Sequence, residues 1–220
     1  MVLIAVHGSA TRYVPAERGT VHLTVEVEHD DRGVAMAQVG SLHERLRAEA
    51  EAFVRDESAT WWGSDQVRAW AMRRYLKDSE VHRVVQAASA EVRVKFRDFD
   101  ALSGWIDRAG SVEGVTIAGT EWTVTDLLRV QVQREVRVEA VADARRRAEA
   151  YASAIGGTGV VLQSLWEPGL RPHSGGVDEG GSVTRALMAS PDSSASIELR
   201  PDDIEIAAEV TADFLVAGGD

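Results

Sequence analysis

The chain has 220 residues, 45% hydrophobic and 27% charged, a balance that excludes a disordered chain and admits one large domain or two small ones. A formal net charge of −11 argues against a nucleic-acid protein and against binding to anionic membrane surfaces, since both need a basic face. The absence of cysteine removes disulfides, thiol catalysis and zinc–thiolate sites.

No apolar run approaches the roughly 20 residues that span a bilayer. The opening Met1-Val-Leu-Ile-Ala-Val6 has no basic leader and turns directly into His7-Gly8, so it reads as a strand rather than a signal peptide. A cytoplasmic location is the default expectation. A first pair of strands is predicted at Leu3–Val6 and Thr20–Glu28, joined by the turn-rich segment Tyr13–Gly19. Within the second, Val21, Leu23, Val25 and Val27 alternate with polar residues, as in a half-buried strand. Asp30-Asp31-Arg32-Gly33 ends it. A helix follows from about Val34 to Arg55, with Val39, Leu42, Leu46, Ala50 and Phe53 inward.

Trp61-Trp62-Gly63-Ser64 breaks the pattern. Strands Gln66–Leu76 and His82–Phe96 then read as a long antiparallel hairpin. Asp98 is a good N-cap for a short helix from Phe99 to Arg108, whose inner residues are Leu102, Trp105 and Ile106. A strand from Val115 to Val124 leads into one long amphipathic helix. There Leu128, Val132, Val136, Ala140, Ala144, Ala148, Ala152 and Ile155 form one buried stripe. Its alanines imply close approach to a sheet or another helix. Gly156-Gly157 sits where a left-handed C-cap is expected. Strands Val160–Trp166 and Ile204–Val216 close the series, separated by the loop 167–201. A loop of that length is either mobile or has a job, and Val183–Met188 within it either pairs or forms a short helix.

The order strand, helix, strand, strand, helix, strand is that of a ferredoxin-like split βαβ sheet. The predicted fold is therefore α+β, with mostly antiparallel sheets and a long alanine-rich helix. A βαββ unit occurs twice, over Thr20–Phe96 and Val115–Val216, which suggests a structural duplication. The expected organisation is a single domain over 1–220, with sub-lobes 1–97 and 98–220 as its natural division.

Several segments resemble the SIMPL domain family, known from bacterial periplasmic proteins and an animal kinase-signalling adaptor. Val141-Ala-Asp143-Ala144-Arg145-Arg-Arg-Ala148-Glu149 through Gly156 looks like that family's "A-x-DAR-x-x-AE-x-x-A-x-x-x-G" helix. Val160–Glu167, Ala87–Asp98, Gly114–Val124 and Leu199–Ile206 resemble its strand motifs in the expected order. The resemblance implies an α+β fold and a tendency to assemble into rings or larger oligomers. Roles reported for the family include stress tolerance, envelope functions and signalling, with no established catalytic residues. This chain departs from the pattern in two ways. The opening reads as a strand rather than as the signal peptide expected of secreted relatives, and His7–Glu17 lacks one glycine and the aspartate of the "G-x-G-x-x-x-x-x-P-D" motif.

Candidate sites have bland readings beside them. Gly8-Ser-Ala reads as a turn, having no lysine or glycine-rich run for phosphate. His22, Glu26 and Glu28 share a strand face and could bind metal with His7, but an exposed polar face is commoner. His43 reads as solvated on a helix, His82 borders a turn, and His173 lies in the loop. Asp30-Asp31 and Asp202-Asp203 read as turn formers rather than acid–base pairs. No serine sits in a nucleophile elbow. The triple arginine Arg145–Arg147 reads as a solvated face. Trp61, Trp62, Trp70 and Tyr75 cluster in sequence, and Trp61 and Trp62 cannot both point inward on an extended segment. That makes the four a candidate interface. The reading is a non-enzymatic, self-associating SIMPL-like protein, a scaffold or stress-related factor, with no catalytic, cofactor or metal residues assigned. It is expected to be a homo-oligomer with no nucleic-acid partner. The alternative is a small-ligand-binding protein or an unrecognised enzyme, with a cleft beside the 167–201 loop.

Overall fold

A computed structural model describes residues 2–75, 82–171 and 201–218, with the side chains of Tyr75, His82 and Arg83 left out. Eleven elements run in chain order: β1 (Leu3–Val14), β2 (Arg18–His29), α1 (Arg32–Arg55), β3 (Ala59–Ser64), β4 (Arg68–Tyr75), β5 (His82–Phe96), α2 (Phe99–Gly110), β6 (Val115–Thr123), α3 (Asp126–Ala154), β7 (Gly159–Trp166) and β8 (Ile204–Ala217). All strand pairs are antiparallel, and the fold is α+β.

The described chain forms two compact units. One contains β1, α3, β7 and β8; the other contains β2 to β6 with α1 and α2. The boundaries fall at Val14/Pro15 and Val124/Thr125 rather than near residue 97, because β1 leaves its sequence neighbour β2 and pairs with β8 along all twelve residues. The predicted first strand pair is therefore two strands of separate sheets.

In the larger unit the sheet order is β3-β5-β2-β6, with β4 also on β5. Long β5 carries two partners end to end on one side: β3 pairs its residues 92–96 and β4 its residues 82–89. The tryptophan pair thus belongs to a strand, where the sequence had suggested a break. Strands β2 and β3 lie parallel on either side of β5, joined through α1 as a split βαβ. Val21, Leu23 and Val25 of β2 face Val94, Val92 and Ala90 of β5, and all six are buried under the helices. From α1 come Val39, Leu46 and Ala50; from α2 come Leu102 and Trp105. Asp31 caps α1 by accepting from Val34 N at 2.9 Å, and Asp98 caps α2 by accepting from Asp100 N and Ala101 N. Asp98 is the N-cap its position predicts, whereas Asp31, read from the sequence as a turn former, caps α1 as well.

The smaller unit has sheet order β1-β8-β7 with α3 across one face. Here too the first strand and the strand after the helix lie parallel with the last strand between them. The repeated unit is thus β1–α3–β7–β8 matched to β2–α1–β3/β4–β5. It does not begin at Val115, because β6 belongs to the other sheet. Residues far apart in sequence complete the second copy, which no local pattern announces.

Val132, Val136, Ala140, Ala144, Ala148 and Ala152 of α3 are buried, while Leu128 is half-buried and Ile155 is exposed at the helix end. The helix stops in a Schellman motif. Gly157 N donates to Ala152 O at 2.8 Å, Gly156 N donates to Ser153 O at 3.1 Å, and Gly156 takes φ +78°.

Candidate functional site

The seam between β1 and α3 explains the residue types of the helix motif. Ala140, Ala144 and Ala148 pack with Val6, Val210, Ala212 and Phe214. Gly8 lies in mid-strand, not in a turn, and a Cβ there would stand 2.2 Å from Ala140 O and 2.6 Å from Ala144 N. The strand touches helix backbone at this point, so only hydrogen fits. One residue on, Ser9 N donates to Asp143 Oδ2 at 3.2 Å. Strand β1 pairs with β8 alone among the described residues, so this carboxylate satisfies an amide on an open sheet edge. That hydrogen bond, with Arg147 at 2.8 Å and Arg146 at 3.1 Å, holds the Asp143 carboxyl below the ordinary carboxylate range. Arg12 pairs with both Glu135 and Glu139 farther along the same seam. The arginines of the 145–147 run are thus partly committed: Arg146 and Arg147 to Asp143, Arg145 to Glu149 at 2.9 Å.

The other face of the three-stranded sheet holds a buried carboxylate that the sequence did not flag. Asp213 of β8 is 7% exposed and accepts from Arg171 Nη2 through Oδ1 at 2.9 Å and Oδ2 at 3.2 Å. The Arg171 guanidinium lies 5.2 Å from the Trp166 ring centroid. Together they pin the first turn after β7 onto the sheet, where Leu170 N donates to Glu167 O at 3.1 Å. An aspartate alternating in phase with Thr211 and Leu215 looks like any outward strand residue, so only the covering arginine reveals its burial. The rest of the predicted loop, residues 172–200, including Val183–Met188 and His173, lies outside the described residues.

The structure separates the candidate aromatic residues. Trp61 faces away from the core at 46% exposure, 6.0 Å from the Arg93 guanidinium, while Trp62 turns inward and packs against the core. Trp70, 38% exposed, pairs with Ala87, whereas Trp61 pairs with Lys95. Those partners are eight residue steps apart on β5, a span of roughly 26 Å at strand rise. Tyr75 closes β4 opposite His82, and its side chain is outside the described residues. Trp61 and Trp70 therefore do not share one patch.

His22 stands 3.9 Å from Glu121, and His7, on β1 in the other unit, stands 3.9 Å from Glu209. Among the described residues no three histidine, aspartate or glutamate side chains converge as a metal site would require. An open cavity of about 640 Å³ is lined by Glu26, Glu28, Gln38, Ser41, Leu42 and Glu113, among others. His43 is half-buried rather than solvated, and its Nε2 is enclosed with no hydrogen-bond partner.

Among the described residues no helix is long and apolar enough to cross a membrane. The family model described as SIMPL, a protein of unknown function (DUF541), matches residues 4–214. No curated protein matches the chain.

Proposed function

The chain belongs to the SIMPL family, and from that premise we propose that it is a non-enzymatic, self-associating protein that works as a scaffold or stress-related factor in the cytoplasm. The supporting observation is that large apolar side chains stay exposed on regular elements although both cores are closed. Trp61 and Trp70 on strands, Leu127 at 82% and Val138 at 70% on α3, and Val161 at 61% on β7 all stand clear. Apolar surface on rigid elements suits docking of another protein surface, since ordering it costs little further entropy. Size-exclusion chromatography with light scattering tests the assembly: oligomers at micromolar concentration are expected, and a strict monomer removes the reading. Cell fractionation tests the location, and growth of a deletion strain under oxidative or envelope stress tests the role.

The cavity lined by Glu26, Glu28 and Glu113 favours a second reading, a small-ligand-binding protein. A thermal-shift screen across metals, nucleotides and haem decides it, because a true ligand raises the melting temperature by mass action. No shift in any of them removes it.

A further inference from the structure

On the face of the three-stranded sheet that turns away from α3, the strand register sets the side chains in rows. Leu3, Leu215 and Val161 make an apolar row, with Leu3 54% and Val161 61% exposed. Ala5, Asp213 and Ser164 make the next row, and His7, Thr211 and Trp166 the one beyond it. Alternation along β8 turns Glu205 and Glu209 to the same face, so a line of carboxylates runs down the central strand.

Asp213 is the buried member of that line, and a buried carboxylate needs a cation and donors in place of the water it has lost. Arg171 supplies them incompletely. Among the described residues both Asp213 oxygens accept from Arg171 Nη2 alone, at 2.9 and 3.2 Å. A guanidinium can instead present two nitrogens to a carboxylate as a fork. The Arg171 guanidinium also lies 5.2 Å from the Trp166 ring centroid, and its side chain stays 47% exposed. A buried acid beside an aromatic ring, open on one side, is a seat suited to a guanidinium. Arg171 reaches it from the exposed turn that follows β7.

We propose that Asp213 and Trp166 form a docking seat for an arginine side chain of a partner protein, held in the free molecule by Arg171 of the same chain. The apolar row beside the seat sets the partner's chemistry. It is an arginine within an extended, otherwise apolar segment, whose neighbouring side chains cover Leu3, Leu215 and Val161. Charge favours the same class: the chain carries −11 and the seat lies on a line of carboxylates, so a basic segment is drawn to it. A lone small cation would leave the apolar row uncovered. Arg171 acts as a tethered competitor. Short tethers give effective concentrations around millimolar, so an incoming arginine displaces it only when contacts with the apolar row add to those with Asp213. The assignment is separate from self-association, because the occupant is a different protein.

The test titrates the full chain with the blocked tripeptide leucyl-arginyl-leucine, its citrulline counterpart and arginine amide, followed by the Trp166 indole signal in NMR. Wild-type protein is expected to bind the arginine tripeptide weakly and arginine amide more weakly still. The citrulline peptide keeps the shape, loses the charge and should not bind. Arg171→Ala removes the tethered competitor and should bind the arginine tripeptide roughly tenfold tighter or more, a gain that adding Asp213→Asn abolishes. A folded Arg171→Ala that binds no tighter than wild type overturns the seat and leaves Arg171 a structural clasp. Equal binding of the arginine and citrulline peptides overturns it too. A larger species of Arg171→Ala in light scattering, without peptide binding, makes the occupant a second copy and defeats the proposal. Should arginine amide bind as tightly as the tripeptide, the partner assignment fails in favour of a free guanidinium compound. If Arg171→Ala loses its native circular dichroism, wild type decides. Its Trp166 signal must then move with the arginine tripeptide and stay still with the citrulline one, and a signal unmoved by either sinks the proposal.

Discussion

Gly8 shows how tightly one position can be constrained by a partner 132 residues away. An added methyl would meet helix backbone and the Ala144 Cβ at 2.7 Å, none of which can rotate aside. Gly8→Ala should therefore destabilise the protein by about 1–3 kcal/mol or more, measured by urea denaturation, although glycine in a strand is ordinarily a weakness. Asp143 is the second such residue. Its carboxyl is held low mainly by the Ser9 amide, so its stabilising contribution is present above the ordinary carboxylate pKa of about 4 and is lost as pH falls through the lowered value. Asp143→Asn should lower the melting temperature at neutral pH, and its gap from wild type should narrow in a thermal melt series taken into the acid range. Asp56, held low by hydrogen bonds from Ser58, leaves residual acid sensitivity in both proteins.

At the scale of the element, α3 has a stripe of four-residue steps rather than alternating threes and fours. Each step of four advances about 40° around a helix of 3.6 residues per turn, so the buried line winds around α3 from Val132 to Ala152. A winding contact suits a twisted sheet. Ala144→Leu would force the helix off β1 and should cost roughly 1–3 kcal/mol, whereas Val138→Lys, at 70% exposure, should fall within about 0.5 kcal/mol of wild type in the same denaturation assay. In the other unit Trp105 joins α2 to the core. It is fully buried, lies edge-on to Phe53 with centroids 5.9 Å apart, and donates from Nε1 to Glu49 at 2.8 Å. Trp105→Ala should cost about 3–5 kcal/mol, and Trp105→Phe less, since the ring contact survives while the Glu49 bond is lost.

For the whole molecule, net charge sets the conditions of assembly. Copies carrying −11 repel through low-salt buffer, and the Debye length shrinks from about 30 Å at 0.01 M to 10 Å at 0.1 M salt. The proposed self-association should therefore strengthen as sodium chloride is raised, as followed by light scattering; an association that weakens with salt would instead indicate ion pairs across the interface. What was legible in the sequence follows the range of the interaction. The alternation of Val21, Leu23 and Val25, the cap at Asp98, the alanine stripe of α3 and its glycine stop all depend on residues within a few positions of one another, so pattern reveals them. The in-and-out pair Trp61 and Trp62 was legible for the same reason. The strand nature of Gly8 and Ala59–Ser64 was not, because a glycine or a tryptophan pair breaks local alternation while the pairing that makes each a strand comes from β8 or β5.

The sequence by itself determined that this is an α+β protein with long amphipathic helices and a family signature, because period, capping and composition are local properties of the chain. Only the tertiary structure decided that β1 joins β8 and not β2, that Asp143 meets the Ser9 amide on the edge of that sheet, and that Asp213 is buried under Arg171. Sheet hydrogen bonds and ion pairs join residues distant in sequence, and nothing in a strand's own pattern specifies which partner it will meet.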